Sequence, residues 1–272
     1  MSDSRFLETA RAAAAGAAAV HRRHLGSFGT EVWGEKGFAD FVTHVDREAE
    51  AVVVDRIVAE FPGHAVLAEE ASTAPDAVAG PAAPEWLWVV DPLDGTTNYL
   101  HAYPMYAVSI AVLERGEPVA GVVLNSASGQ EWYATRGGGA YCNGERIRVS
   151  DIDRLGQALI GTGFPYRVQY EIPRYLEQLG TVLRTSGGVR RAGAAAVDLC
   201  HVASGALDGF WELSLAPWDV AAGVLMIREA GGIATRLDGS QDVIGNGSLL
   251  AGNRYIHAAL GAALSAAGAR EN

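Results

Sequence analysis

Apolar residues recur at helical spacing in two segments near the start of the chain. Residues 3–25 are rich in alanine with charged residues between, and residues 43–61 carry an apolar stripe that includes Val45, Val53 and Ile57. Both patterns predict helices, because side chains three or four positions apart share one face. Two helices therefore precede the first predicted strand.

Shorter apolar runs follow, and these are typical of strands. Ala65–Ala68 and Trp86–Val90 are predicted strands, separated by an exposed loop over residues 71–84. Four further runs predict an antiparallel meander, at residues 106–113, 118–124, 130–134 and 139–148. Within it, Asn143-Gly144 favours a type I′ turn. The run Gly137–Gly139 leads into a strand rather than a helix, which favours a hairpin over a phosphate-binding loop.

Helical and strand patterns alternate after residue 155, as in layered α/β structure. The strands are predicted at residues 157–162, 207–211, 233–236 and 248–251, and the helices at 173–183, 193–204, 218–230 and 254–267. We predict two halves: residues 1–150, with α+β elements and most of the candidate metal ligands, and residues 151–272, with α/β alternation that closes the site. We expect them to pack as one globular unit, because no low-complexity linker separates them in the sequence.

Composition and charge narrow the function classes. The chain has 272 residues, 49% of them hydrophobic, and a formal net charge of −11. That acidity argues against a nucleic-acid partner, which requires clustered lysine and arginine. Charged residues interrupt the alanine-rich first segment, which argues against a signal peptide or membrane span there. Two isolated cysteines, Cys142 and Cys200, indicate neither a disulfide framework nor a zinc site, so we expect a cytoplasmic protein.

The richest chemical signal directly follows the second predicted strand. Asp91 ends that strand, and the next residue, a proline, forces a turn that can bring Asp94 back to the same side. Two carboxylates and the Leu93 carbonyl oxygen suit Mg²⁺, which keeps water and substrate phosphate in its remaining positions. Gly95 and Thr96 follow, where a short helical turn offers N–H groups to an anion. The alternative is an ordinary turn, since these residue types are common in turns.

The full run Asp91–Tyr99, D-P-L-D-G-T-T-N-Y, resembles the signature of the inositol monophosphatase family. Four separate blocks between Lys36 and Gly232 follow the family's order. The resemblance implies a magnesium-dependent, lithium-sensitive phosphatase of small phosphate esters. It also implies an αβαβα sandwich of the sugar-phosphatase type, assembled as a homodimer.

Three further acids lie in these blocks, and each has a structural alternative. Glu69 follows a predicted strand and matches the family's metal-ligating, water-activating glutamate, whereas its alternative is a solvated acidic loop. Asp46 stands three residues after Thr43, a capping-box spacing, and matches the aspartate that orients the threonine assigned here to Thr96. Asp219 begins a predicted helix, where an acid stabilises the helix terminus, and it matches the metal ligand of the family's W-D-x-A-A-G segment.

The resemblance also implies the residues that contact substrate. They are Asp94, Gly95, Thr96, Ala195 and Glu212. Glu212 matches a residue that binds a substrate hydroxyl, and Ala195 matches a contact made through the backbone. Ala194 stands where relatives usually have Ser or Thr, so one hydroxyl is absent from that loop.

Together these assignments predict hydrolysis of a phosphate monoester by a metal-activated water, with Glu69, Thr96 and Asp46 as catalytic residues. The predicted ligands of about two to three Mg²⁺ ions, or Mn²⁺ as a substitute, are Glu69, Asp91, Leu93, Asp94 and Asp219. The predicted substrate is a small phosphorylated polyol or sugar, foremost myo-inositol monophosphate. Histidinol phosphate, fructose 1,6-bisphosphate and a 3′-phosphonucleotide are alternatives. A nucleotide could use the basic pair Arg190-Arg191, although a solvated surface pair is the favoured interpretation.

A hypothesis from a different class is a regulatory binding protein of the transcription machinery, because some bacterial members of the family contact it. The acidic balance and the complete set of acids favour catalysis over this alternative.

Overall fold

The computed structural model of the protein describes residues 2–26, 34–37, 40–70, 78, 82–166 and 168–268. Its helices are α1 (Ser2–His24), α2 (His44–Glu60), α3 (Thr96–Leu100), α4 (Ile172–Thr185), α5 (Ala195–Ala203), α6 (Pro217–Glu229) and α7 (Arg254–Gly268). Its strands are β1 (Gly34–Gly37), β2 (Asp40–Val42), β3 (Ala65–Ala68), β4 (Trp86–Asp94), β5 (Ala107–Glu114), β6 (Glu117–Asn125), β7 (Glu131–Thr135), β8 (Gly139–Cys142), β9 (Glu145–Arg146), β10 (Leu159–Thr162), β11 (Gly188–Arg190), β12 (Gly209–Leu215), β13 (Ile233–Thr235) and β14 (Gly247–Gly252). The predicted loop at residues 71–84 lies mainly outside the described residues.

The first large sheet contains β3 to β9 in sequence order. β3 runs parallel to β4, and each later strand is antiparallel to its neighbour. Glu69 and Asp91 both directly follow the Ala68–Val90 pair, so they lie at one end of the sheet. The structure differs from the predicted strand end at Asp91, because β4 continues across a bulge to Asp94. Pro92 lies within that bulge, where a missing N–H group does not end the strand.

The predicted meander is confirmed by β5 to β9. Asn143 and Gly144 have φ values of 50° and 90°, as a type I′ turn requires. In the neighbouring hairpin, the N–H groups of Gly137 and Gly139 donate to the Glu229 carboxylate of α6 at 2.7 and 2.8 Å. The glycine run therefore joins two strands and binds an acid of the protein itself, which confirms the hairpin interpretation.

The second large sheet has the strand order β11-β10-β12-β14-β13. β10 is parallel to β11 and β12, whereas β14 is antiparallel to β12 and β13. The sequence pattern does not indicate β11, because a strand of three residues shows no clear periodicity. β12 extends to Leu215, beyond the end predicted at residue 211, and therefore carries Glu212 within the strand.

Three apolar cores among the described residues hold five layers together. α1 and α2 cover one face of the first sheet through a core that includes Val53, Trp88 and Ile110. α5 and α6 lie between the two sheets, where Leu199 is fully buried. α4 and α7 cover the outer face of the second sheet, around Trp211. These layers confirm the predicted αβαβα sandwich.

The connection from the first sheet to the second runs from Arg146 to Leu159. The boundary proposed at residue 150 falls within it, and the division into halves stays a prediction. In the described part of the chain, every helix is too short or too polar to cross a lipid bilayer.

Candidate active site

A cavity of about 430 Å³ lies where the ends of β3 and β4 meet the first turns of α3, α5 and α6. The predicted site residues in its lining are Glu69, Asp91, Leu93, Asp94, Gly95, Thr96, Ala195, Glu212 and Asp219. Asp46 is the predicted site residue that lies outside this lining. The fold thus brings residues from distant parts of the sequence to one cavity.

Four carboxylates in the lining, called the acid cluster below, are Glu69, Asp91, Asp94 and Asp219. Asp91 is 2% exposed, and its Oδ1 accepts a hydrogen bond from the Leu93 N–H at 2.9 Å. The Glu69 N–H donates to the Val90 carbonyl at 3.2 Å, which continues the pairing of the two strands by one residue. Neighbouring strand ends therefore hold Glu69 and Asp91 side by side.

Asp94 connects the first sheet to α5. Its Oδ1 accepts a hydrogen bond from the Ala195 N–H at 3.1 Å, and its Oδ2 accepts one from the Ala196 N–H at 2.9 Å. N–H groups of a first helical turn have no acceptor within the helix, and the helix terminus favours negative charge. The backbone N–H of Ala195, a predicted substrate contact, is thus already bonded to Asp94.

Asp219 lies in the first turn of α6. Its Oδ2 accepts a hydrogen bond from the Ala216 N–H at 2.6 Å. This contact agrees with the helix-terminal role expected for Asp219, and the same side chain lines the cavity. One carboxylate therefore stabilises the helix start and faces the site.

The turn between β4 and α3 requires glycine. Gly95 has a φ of 86°, in the left-handed region that other residues rarely adopt. A Cβ at this position would lie 2.8 Å from the Met105 carbonyl oxygen and 3.3 Å from the Ala194 Cβ. The turn therefore packs closely against the segment that precedes α5.

Asp46 contacts the site from α2. Its Oδ2 accepts a hydrogen bond from the Thr43 N–H at 2.8 Å, and the Thr43 hydroxyl accepts one from the Val45 N–H, which confirms the predicted capping box. Asp46 Oδ1 lies 3.1 Å from the hydroxyl of Thr96. The capping interaction and the contact with Thr96 coexist, as the two interpretations of Asp46 together predict.

Burial and repulsion between neighbours raise the pKa values of Asp91 and Asp94 in the acid cluster. Burial raises the pKa of Asp91 well above its usual range, and Glu69, Asp94 and Asp219 raise it further. Burial and then the charge of Asp219 raise the pKa of Asp94 to about 7, although the N–H groups from α5 oppose this. The acid cluster therefore resists full ionisation, and a divalent cation would reverse that resistance.

The donors of the acid cluster fit a hard divalent cation. Carboxylate oxygens and the Leu93 carbonyl oxygen are the ligand type that Mg²⁺ prefers. Within the described ranges, no three Asp, Glu, His or Cys side chains already form a ready-made metal-binding group.

A second group in the lining, called the arginine wall below, consists of Phe164, Tyr166, Arg191, Asp198 and Glu212. The sequence indicates Glu212 as a substrate contact and Arg191 as part of a basic pair, and it assigns no role to the other three. Arg191 is exposed, as a solvated surface pair predicts, and its guanidinium carbon also lies 5.0 Å from the Phe164 ring centroid at the cavity. Asp198 is 2% exposed. The sequence feature that could have indicated it is an acid within a mostly apolar helix.

Comparison with known proteins agrees with this arrangement. A model of the inositol monophosphatase family matches residues 2–269. An inositol-1-monophosphatase of Mesorhizobium japonicum is 45% identical over 225 residues, which cover 83% of each chain. A putative Nus factor SuhB of Neisseria meningitidis serogroup B is 41% identical and covers 92% of this chain and 94% of its own. The crystal structure of extragenic suppressor protein suhB from Bartonella henselae has a TM-score of 0.87 at 39% identity, covering 96% of this chain and 98% of its own.

The layered fold and the acid-lined cavity define the class of protein as a phosphatase. The chain belongs to the inositol monophosphatase family. It is an inositol-1-monophosphatase-like phosphoric monoester hydrolase, and the family is generally metal-dependent.

Proposed function

We propose that the protein hydrolyses a small phosphate monoester in a magnesium-dependent reaction, with myo-inositol monophosphate as the preferred substrate. The observation that carries this proposal is the acid cluster, in which burial and mutual repulsion raise the pKa values of Asp91 and Asp94. Such a site favours a divalent cation beside a phosphate. The relative named inositol-1-monophosphatase, at 45% identity, supports the substrate class.

The proposed metal ligands are Glu69, Asp91, the Leu93 carbonyl oxygen, Asp94 and Asp219. About two to three Mg²⁺ ions are expected, and Mn²⁺ is expected to substitute for them. When bound, the metal neutralises the charge of the phosphate and lowers the pKa of a water molecule. The backbone N–H groups that hold three of these carboxylates support the assignment, because stiff ligands need little reorganisation.

Glu69 and Thr96 are proposed to orient and polarise the water that attacks phosphorus directly, without a phosphoenzyme. The Thr96 hydroxyl lies 3.1 Å from both Asp46 Oδ1 and the Leu93 carbonyl oxygen, and these two acceptors hold it at the cavity, which supports this role. The N–H groups of Gly95 and Thr96, at the start of α3, are proposed to bind phosphate oxygens beside Asp94. All of these residues except Asp46 line the same cavity.

Glu212 is proposed to accept a hydrogen bond from a hydroxyl of the polyol, and Ala195 to contact the substrate through its backbone. Glu212 lines the same cavity as the acid cluster, and this position supports its assignment as a substrate contact. Histidinol phosphate, fructose 1,6-bisphosphate and a 3′-phosphonucleotide remain alternative substrates of the same acid cluster.

Phosphate release from a panel of these esters tests the proposal. With Mg²⁺, we expect inositol monophosphate to give the highest kcat/KM. We expect a chelator to abolish release and Li⁺ to inhibit it. If no ester releases phosphate in the presence of Mg²⁺ or Mn²⁺, the proposed activity is wrong, and if another ester has the highest kcat/KM, the proposed substrate is wrong.

A regulatory role in transcription is a second candidate, and the relative named putative Nus factor SuhB is the observation that favours it. A pull-down of purified RNA polymerase, with the wild type and with Asp94→Asn, separates this role from catalysis. Capture by both proteins would support an independent regulatory role. Capture by neither would contradict it.

We also propose that the protein is a cytoplasmic homodimer. Large apolar side chains on and beside α4 are exposed, among them Tyr170 at 82%, Leu176 at 58% and Leu183 at 60%, and such a patch is typical of an interface. Sedimentation analysis should give twice the chain mass of 28.5 kDa. A monomer at micromolar concentration would contradict the proposal.

A further inference from the structure

Asn98, the third residue of α3, donates two side-chain hydrogen bonds to backbone carbonyls of other segments. Its Nδ2 lies 2.6 Å from the Met105 carbonyl oxygen and 2.9 Å from the Ala192 carbonyl oxygen. Because both partners can only accept, the side-chain amide must face them with its two N–H groups. Asn98 is half-buried and lies outside the cavity lining described above. It therefore joins α3 to two other segments without lining the cavity itself.

Each of these segments leads into an element that contacts Asp94. Met105 lies just before β5, which pairs with Asp94. Ala192 lies just before α5, whose first two N–H groups donate to the Asp94 carboxylate. The two hydrogen bonds of Asn98 thus anchor the two elements that meet at Asp94.

The start of α5 has no side-chain cap of its own. Its N-cap residue is Ala194, whose methyl group cannot accept a hydrogen bond from the first turn. Asp94, which precedes the helix by 101 residues, accepts from that turn instead. The position of α5 relative to Asp94 therefore has to be held from outside the helix, and Asn98 bonds to the segment directly before it.

The segments around Asn98 pack too closely to shift independently. Gly193 has a φ of 89°, and a Cβ at this position would lie 3.1 Å from Asn98 Nδ2. A Cβ at Gly95 would lie 3.3 Å from the Gly193 carbonyl oxygen. Displacement of residues 192–194 would therefore be felt at the turn that carries Asp94.

We propose that Asn98 is a positioning residue, whose side-chain amide holds α5 and β5 where they fix the Asp94 carboxylate for a divalent cation. This inference rests on the proposed metal-dependent function and deepens it. It assigns the orientation of one metal ligand to a residue that lines neither the cation site nor the substrate cavity.

Two variants remove the donors of Asn98 in different ways. Asn98→Leu keeps the branched shape without an N–H group, and Asn98→Ser shortens the side chain. In both, NMR-detected amide exchange of Ala195 and Ala196 in the metal-free protein should become about tenfold faster, because the helix start opens more often. Calorimetry should show the dissociation constant for Mn²⁺ rising about tenfold, the scale for a residue that orients a metal ligand.

Asn253→Ser is the matched control. Asn253 Nδ2 donates to the Ser150 and Ile152 carbonyls at 3.0 and 2.8 Å, so it also joins distant segments, and it lies outside the cavity lining. Serine can still accept hydrogen bonds at the start of α7, as Asn253 Oδ1 does. In this variant we expect a lower free energy of unfolding, with unchanged exchange at Ala195 and unchanged affinity for Mn²⁺.

Unchanged amide exchange in Asn98→Leu would overturn the proposal, because the shape of the side chain rather than its N–H groups would then hold α5. An unchanged dissociation constant for Mn²⁺ in both Asn98 variants would also overturn it. So would an equal loss of Mn²⁺ affinity in Asn253→Ser, since the loss would then follow global stability. If the wild type takes up no Mn²⁺, the proposed metal dependence itself is wrong, and this inference fails with it.

Discussion

The acid cluster and the arginine wall line one cavity but differ in how their charges are balanced. The acid cluster is formed by strand ends and first helical turns, and burial together with the neighbouring carboxylates raises the pKa values of Asp91 and Asp94. The arginine wall carries its own cation, held against aromatic rings that include the partly exposed Tyr166. We therefore expect the acid cluster to take up a cation from solution, whereas the arginine wall already contains a guanidinium group.

The largest expected effect comes from removing one charge from the acid cluster. Asp94→Asn should lower kcat by at least about a hundredfold at saturating Mg²⁺, because a ligand charge is lost while the side chain keeps its shape. Phosphate release under steady-state conditions measures this, and circular dichroism checks the fold. Asp238→Asn, at an exposed turn in the second half, is the control that should retain activity. Near-normal turnover in Asp94→Asn would contradict the claim that the acid cluster, unlike the arginine wall, needs a bound cation.

More of the acid cluster than of the arginine wall could be predicted from the sequence. Asp91 and Asp94 are neighbours in one short run, so strand and turn chemistry alone indicated a cation site. Glu69 and Asp219 each have an ordinary structural role, and only the family resemblance assigned them to the same site. The layers were predictable, because amphipathic helices and apolar strands carry strong periodicity.

The remaining features depend on three-dimensional packing. Arg191 follows a strand of three residues, and its contact with Phe164 joins side chains that local periodicity cannot relate. The extension of β4 past Pro92 depends on pairing with β5, which the sequence of β4 does not encode by itself. Asp198 is an acid in an apolar helix, and its direction toward the cavity follows from the packing of α5 between the sheets.

Gly95 joins the acid cluster to the segment that leads into the arginine wall, so its substitution should disturb both. Gly95→Ala should destabilise the protein by about 1–3 kcal/mol, because alanine at a φ of 86° is strained and its Cβ would lie 2.8 Å from the Met105 carbonyl oxygen. Chemical denaturation measures the free energy of unfolding. Gly239 also has a positive φ, but it has open space around it. Gly239→Ala therefore tests backbone strain without a steric clash, and it should lower the free energy of unfolding by less. Equal losses would mean that the contact with Met105 is unimportant.

The Thr96 hydroxyl should matter for turnover more than for folding. Thr96→Val keeps the side-chain shape but removes the group that Asp46 contacts at 3.1 Å, so we expect kcat to fall about tenfold with Mg²⁺ binding retained. Steady-state kinetics together with a metal titration measure the two quantities. Thr181→Val on the exposed face of α4 should leave both unchanged. A loss of metal binding equal to the loss of kcat would contradict the role assigned to Thr96.

A further expected effect is a pH dependence of stability confined to the metal-free protein. The pKa of Asp94 is about 7 in the folded state and 3.8 in the reference state, so the folded form binds the proton more tightly. Stability should therefore decrease as pH rises between these two values, and Mg²⁺ should remove the decrease by favouring the ionised form. Thermal unfolding at about pH 5 and pH 8, with a chelator or with Mg²⁺, measures it. A metal-free Tm that is independent of pH, with no response to Mg²⁺, would contradict the electrostatic account.

Calorimetric titration of the wild type and Asp94→Asn with Mn²⁺ tests the central claim most directly, since it measures the completion of the acid cluster without any substrate. We predict uptake of about two ions per chain by the wild type, and binding weakened by at least about tenfold in Asp94→Asn. No heat of binding in the wild type, or the same isotherm for both proteins, would contradict the claim that these carboxylates hold the metal.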